Sequence, residues 1–219
     1  MRVMHRGSVA LALAWIASMS MPAGAAARSF RVAFEGGLTI SKLRNVDDPY
    51  SVLESIRGFG AGAALSWRVA GPFEVEPRLD YLVKGISLGK AEATDDAGNP
   101  LGQFEALNEV DVLEIPVLLR WDVPIQGRLH PSLALGPFTS FELAERFKTT
   151  GAVEGSESVS ILKNTDYGVA FGAGIGVDMG PARWLLEGRY DLGLADIGPF
   201  RGTESVHSGA FALLAGVSF

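Results

Sequence analysis

The chain has 219 residues, 47% of them hydrophobic, with 25 acidic against 19 basic side chains and a net charge of −6. That length suits one barrel or sandwich domain with a real core, and the acidic balance argues against a nucleic-acid partner. Cysteine is absent, which excludes disulfides, thiolate metal sites and a cysteine nucleophile.

The chain begins with Arg2, His5 and Arg6, then an apolar run over residues 9–21 and small residues over 22–27. This is the order of a secretory signal peptide. Cleavage near Ala25 or Ala27 is expected, so that residues 1–27 are removed and residues 28–219 form the mature domain. Losing Arg2 and Arg6 leaves 17 basic against 25 acidic residues, a net charge of −8. Beyond this run no stretch approaches the roughly 20 uninterrupted apolar residues of a spanning helix. Any membrane insertion must therefore use strands closed into a barrel, because every backbone polar group in lipid needs an internal partner.

A barrel in lipid alternates apolar-out with polar-in or small-in along each strand. Residues 30–39 and 59–69 show this weakly. Residues 73–84 show it well: Phe73, Val75, Pro77, Leu79, Tyr81 and Val83 oppose Glu74, Glu76, Arg78, Asp80, Leu82 and Lys84. Residues 110–121 and 128–147 follow; within the second, Pro131 and Pro137 remove ladder donors and predict a bend or bulge. Residues 166–178 alternate Tyr167, Val169, Phe171, Ala173 and Ile175 with glycine, alanine and aspartate. In residues 184–193, Trp184, Leu186, Gly188, Tyr190 and Leu192 oppose a face carrying Glu187, Arg189 and Asp191, and three charges on one face cannot meet lipid. Residues 211–219 end the chain with Phe211, Leu213, Ala215, Val217 and Phe219 on one face. This makes about eight strands, the smallest closed barrel usual in this class. The connections alternate in length: long at 40–57, 88–107, 148–165 and 195–206, short at 70–72, 122–126 and 180–181. Four long external loops and short periplasmic turns are the pattern of an up-and-down transmembrane barrel. A soluble lipocalin-like barrel would invert the faces, with Trp184 inside and Arg189 outside. Glycine, 27 residues in all, falls largely within the alternating segments, where it makes room in a tightly curved barrel.

Several stretches resemble the PorT-like or porin-family outer-membrane β-barrel proteins. These are residues 75–85 (VEPRLDYLVKG), 112–120 (VLEIPVLLR), the Gly-Pro-Phe at 136–138, residues 166–174 (DYGVAFGAG) and residues 187–197 (EGRYDLGLADI). The resemblance implies the fold and an outer-membrane address in a Gram-negative bacterium; the matched motifs carry no catalytic chemistry. One branch of that family is tied to protein secretion, a role these motifs do not transfer.

The inward rows collect Glu76, Arg78, Asp80, Lys84, Glu114, Arg120, Glu187, Arg189 and Asp191 as a lumen charge network. Glu35, Glu74, Glu142, Asp166, Asp178, Arg31, Arg68 and Arg146 belong to the same rows. So many charges in a narrow barrel must pair or be hydrated, and about eight strands enclose an interior that side chains just fill. Trp67, Tyr81, Trp121, Tyr167, Trp184, Tyr190 and Phe219 are expected on the lipid side as aromatic girdles. No metal, cofactor or catalytic residue is expected. His207, with Ser205, Ser208 and Glu204 nearby, offers a superficial nucleophile and base, but neighbours on a strand alternate faces; a polar rim is the better reading, and His130 is expected near a periplasmic turn. The leading functional expectation is a structural or interaction barrel with a plugged lumen. It would meet outer-membrane lipid along its sides, the barrel-insertion machinery through its C-terminal strand and an unknown protein partner at its external loops. A narrow transport or small-ligand barrel is the alternative, and a lipid-modifying enzyme comes third.

Overall fold

The computed structural model describes residues 30–44, 54–94, 99–152, 154–159, 165–197 and 206–219. The expected signal peptide, Glu204 and Ser205 lie outside the described residues. Contacts divide the chain into residues 1–30 and a barrel unit of residues 31–219; the account below concerns the latter.

The strands are β1 (Phe30–Arg44), β2 (Glu54–Ala70), β3 (Phe73–Thr94), β4 (Pro100–Asp122), β5 (Leu129–Gly151), β6 (Gly155–Val159), β7 (Thr165–Met179), β8 (Ala182–Gly193) and β9 (His207–Ser218). Eight of them close into an antiparallel barrel in the cyclic order β1, β2, β3, β4, β5, β7, β8, β9. The ring shuts where β9 meets β1, from Ala33 opposite Ser218 to Arg44 opposite His207. Closure satisfies the backbone of both terminal strands, which otherwise would present edges. Val32 and Phe219 exchange backbone hydrogen bonds of 3.2 and 3.0 Å, so the C-terminus is tied into the ladder at the short-turn end.

Period two sorts the side chains as lipid requires. Trp184 is 54% exposed and Arg189, five residues on and so on the opposite face, fully buried, which decides against the lipocalin-like arrangement. Along β4 the outward row is Leu113, Ile115, Val117, Leu119 and Trp121, and the inward row is Val110, Val112, Glu114, Pro116, Leu118 and Arg120. Trp67, Phe73, Trp121, Trp184 and Phe219 are exposed aromatics near the short turns. Phe59, Tyr81, Phe141 and Tyr167 stand nearer the other end, with the Phe59 and Tyr81 rings 5.8 Å apart. Tyr190 lies between these levels, packed 5.4 Å from Phe171.

Three features depart from the sequence reading. Much of the expected long connections is strand: β3 runs on to Thr94, β4 starts at Pro100 and β5 ends at Gly151, with Lys90 opposite Glu105 and Phe104 opposite Gly151. Short β6, a ninth strand, pairs only with the outer part of β5, Lys148 facing Ser156. Neither proline breaks β5: Pro131 and Pro137 sit in unbroken register with Ile175 and Val169 of β7. The bulge falls instead at Leu143, where Asp111 faces Ala144 but Val112 faces Glu142. One extra residue inverts the faces beyond it. Glu145 consequently turns inward, 2% exposed, and Arg146, expected in the lumen, turns outward to bond Asp111 at 2.6 Å.

Candidate functional site

The interior is built from charged strands set against strands of small residues. β3, β4 and β8 supply the long ionic side chains; β2, β7 and β9, which lie beside β3 or β8 in the ring, carry Gly62, Ala64, Ala170, Gly172, Ala212 and Gly216 on their inward faces. The glycines are required by contact. A methyl at Gly62 would come within 1.9 Å of the Asp80 carboxylate, and one at Gly216 within 2.4 Å of Glu35.

Two tiers of ion pairs cross the lumen. In the tier nearer the short turns, Arg120 grips Glu76 with two hydrogen bonds of 2.9 Å and donates to Glu187 at 2.5 Å. A bidentate guanidinium–carboxylate pair is the strongest of the common ionic hydrogen bonds. Arg78 donates to Glu187 at 3.1 Å, to Glu76 at 3.2 Å and to Glu35 at 2.5 Å. Ser66 and Ser132 complete the set, donating to Glu76 at 2.6 Å and accepting from Arg120 at 2.8 Å.

In the second tier Arg189 donates to Asp80 at 2.7 Å, to Glu114 at 3.0 Å and to Asp191 at 3.0 Å. β8 lies opposite β3 in the ring of eight, so this side chain spans the lumen. Lys84 donates to Glu114 at 2.5 Å, and its ammonium sits 5.4 Å from the centre of the Phe138 ring, a cation–π contact. Arg78 Nε approaches Asp80 at 3.4 Å and links the tiers electrostatically. Arg189, Glu114, Asp80 and Asp191 are at most 1% exposed. Sequence reasoning missed Phe138, Ser66 and Ser132; the parity of Phe138 with Ser132, Ala134 and Ser140 on β5 was the available signal.

The other inward residues sit at the two ends. Near the short turns, Arg31 pairs with Glu74 at 2.5 Å and Asp122 at 3.4 Å, and Arg68 reaches Glu74 at 3.3 Å. Asp178 joins Arg183 and His130, both at 2.7 Å. At the far end Asp166 accepts from the Ser208 hydroxyl and from the Tyr167 amide at 2.8 Å, and the His207 Nδ1–H donates to the Ala195 carbonyl at 2.9 Å. Cavities lie on both sides of the tiers. One, offering about 70 Å³ to the centres of water molecules, is lined by Lys84, Asn108, Glu142 and Asp166 among others; a smaller one of about 20 Å³ lies by Glu76, Arg120, His130 and Glu187. Among the described residues no three His, Asp or Glu are grouped to hold a metal ion.

A closed eight-stranded barrel, apolar and aromatic outside and ionic within, defines a β-barrel of outer membranes. The chain belongs to the outer membrane protein beta-barrel domain family, whose model matches residues 17–198. No curated protein matches it. Among solved structures it is similar to Ail, the attachment invasion locus protein of Yersinia pestis, crystallised with the heparin analogue sucrose octasulfate, at 15% identity over 87% of this chain and 99% of that one, TM-score 0.44. It is also similar to OprG of Pseudomonas aeruginosa, at 14% identity over 87% and 96% of the chains, TM-score 0.43. A third similarity is to the outer membrane protease OmpT of Escherichia coli, at 6% identity over 87% and 96%, TM-score 0.41.

Proposed function

We propose that this outer-membrane protein is a structural or interaction barrel, closed to steady conduction, that meets its partner through the strand extensions beyond the outer aromatic level. The observation that carries the reading is Arg189, fully buried and bonded to carboxylates of β3, β4 and β8. An ion crossing the lumen would have to break several of these bonds at once, and each broken buried pair costs about 3–5 kcal/mol. The extensions support the other half. β3, β4, β5 and β6 continue as a polar sheet whose outward side chains include the Lys148–Glu109 pair at 2.5 Å, chemistry suited to water and a protein surface. His207 bonded to a backbone carbonyl and Ser208 bonded to Asp166 favour a rim role over catalysis.

Export by the signal peptide of residues 1–27, insertion through the strand ending in Phe219, and a place near the PorT-like members complete the proposal. The test is conductance of the purified, folded protein in planar bilayers. No steady current is expected; well-defined single-channel steps would overturn the reading.

A further inference from the structure

Among the described residues the ladder does not close above the outer aromatic level. β7 enters it at Thr165, opposite Phe141, while β5 runs on to Gly151. There β6 takes the place beside β5, pairing from Val159 opposite Glu145 to Gly155 opposite Thr149, and it stands last in the sheet order with no second neighbour. The backbone groups on its far side are therefore unpaired among the described residues. These rows lie four to eight residues beyond Phe141, roughly 10–25 Å along the strand and away from the hydrocarbon.

An unpaired edge is a template for a further strand, and native edges are blunted by lysine, proline or a bulge. The opposite edge of this outer sheet has two of these devices. Beyond Ser87, where β2 ends its pairing, β3 carries Lys90 and an irregular register between Ser87 and Lys90, with Gly89 at a φ of 90°. β6, with the sequence GSESV, has none of them. Residues 154–158 are all exposed, so the edge is open to water.

Charge at this edge selects the occupant. Glu154 and Glu157 make no ion pair or hydrogen bond among the described residues, and the neighbouring cation, Lys148, is already held by Glu109 at 2.5 Å. Glu157 stands opposite Phe147, on the face that carries buried Glu145. A residue beside it on an added strand would therefore meet a carboxylate without a counter-charge. A second copy paired β6 to β6 would set these acids against their own counterparts, a destabilising arrangement. We infer that β6 accepts a strand from a partner protein, an extended segment with lysine or arginine at the residue facing Glu157; the inference rests on the reading of this chain as an interaction barrel.

Fluorescence anisotropy of a labelled, end-capped peptide TVTKTVT, titrated with the folded barrel in nanodiscs of zwitterionic lipid, tests this, with empty nanodiscs as the blank. Saturable binding with a Kd below about 1 mM is expected, and TVTETVT should bind at least about fivefold more weakly. Alternate residues of a strand offer their backbone groups to opposite edges. Of two peptides N-methylated at odd and at even positions, one should therefore lose binding and the other keep it within about twofold. Glu157→Lys, an exposed change, should reverse the preference to TVTETVT; should that variant fail to fold, the peptide series on the unaltered protein decides. No saturable binding, equal binding of the two charge forms, or retention by both N-methylated peptides would overturn the inference. So would a dimer of the barrel that the peptide dissolves, which would assign the edge to a second copy. A barrel that conducts in planar bilayers yet binds the peptides as expected would sink the closed-lumen reading and leave this inference standing.

Discussion

Replacing Arg189 by Met removes one cation from a closed account. The two tiers hold Glu35, Glu76, Asp80, Glu114, Glu187 and Asp191 against Arg78, Lys84, Arg120 and Arg189, six acids to four bases. Net charge in the tiers then passes from −2 to −3, and Asp191 loses its guanidinium outright. Asp80 keeps only Arg78 at 3.4 Å, and Glu114 keeps only Lys84 at 2.5 Å. Removing one partner of a buried pair costs about 3–5 kcal/mol, because the remaining charge is stranded. Arg189→Met should lose that much in urea unfolding of the barrel refolded in lipid vesicles, followed by tryptophan emission. Neutralising the tier together, as Arg189→Met with Asp80→Asn and Asp191→Asn, should recover at least about half of the loss, since no charge is then left without a partner. A loss below about 1 kcal/mol for the single variant, or a triple variant worse than the single, would refute the account of the tier as one coupled unit.

Gly62→Ala should cost about 1–3 kcal/mol in the same assay by overpacking, since its methyl would lie 1.9 Å from an Asp80 oxygen. Leu135→Arg, at a lipid-facing position 58% exposed on β5 between the two aromatic levels, should cost about 2–4 kcal/mol. Arg146→Ala should cost less than about 1 kcal/mol, the value of a partly exposed pair, because the bulge at Leu143 places it outside the tiers; a loss like that of Arg189→Met would put it back in the lumen. Mass spectrometry of the protein recovered from outer membranes should show an N-terminus near residue 26 or 28, and an intact Met1 would refute the signal peptide.

The fold was legible because lipid outside and ionic groups inside make opposite demands on alternate residues, so Trp184 and Arg189 declare their faces without neighbours. Chain ends and turn lengths supplied the ring order. What stayed hidden depended on registration between strands. Nothing in the residues around Leu143 marks an extra position, so unbroken parity from Glu142 places Arg146 in the lumen, whereas the bulge turns it outward. The outer extensions of β3, β4 and β5 carry the sequence pattern of loops because both faces meet water there. A polar ladder such as Lys90 opposite Glu105 has no hydrophobic alternation to reveal it. The prolines of β5 misled for a related reason: the ladder to β4 skips the pairs between Phe138 and Leu135 without changing register, so a missing donor was absorbed locally.

Buried ion pairs rarely stabilise a protein more than apolar side chains of equal volume, so stability alone does not explain why this lumen holds ten charges in two tiers. The membrane setting supplies a different reason. A strand apolar on both faces carries no instruction about which face meets lipid, and a slip of one residue would go unpunished. With Glu187, Arg189 and Asp191 on one face of β8, a one-residue slip would place three charges in hydrocarbon, at about 2–4 kcal/mol for an arginine alone. The small residues of β2 and β9 act in the same direction, because Gly62 and Gly216 leave the space that the Asp80 and Glu35 side chains occupy. Charge on one set of strands and missing side chains on the neighbouring set thus specify a single registration, and the closed lumen is a consequence of that specification.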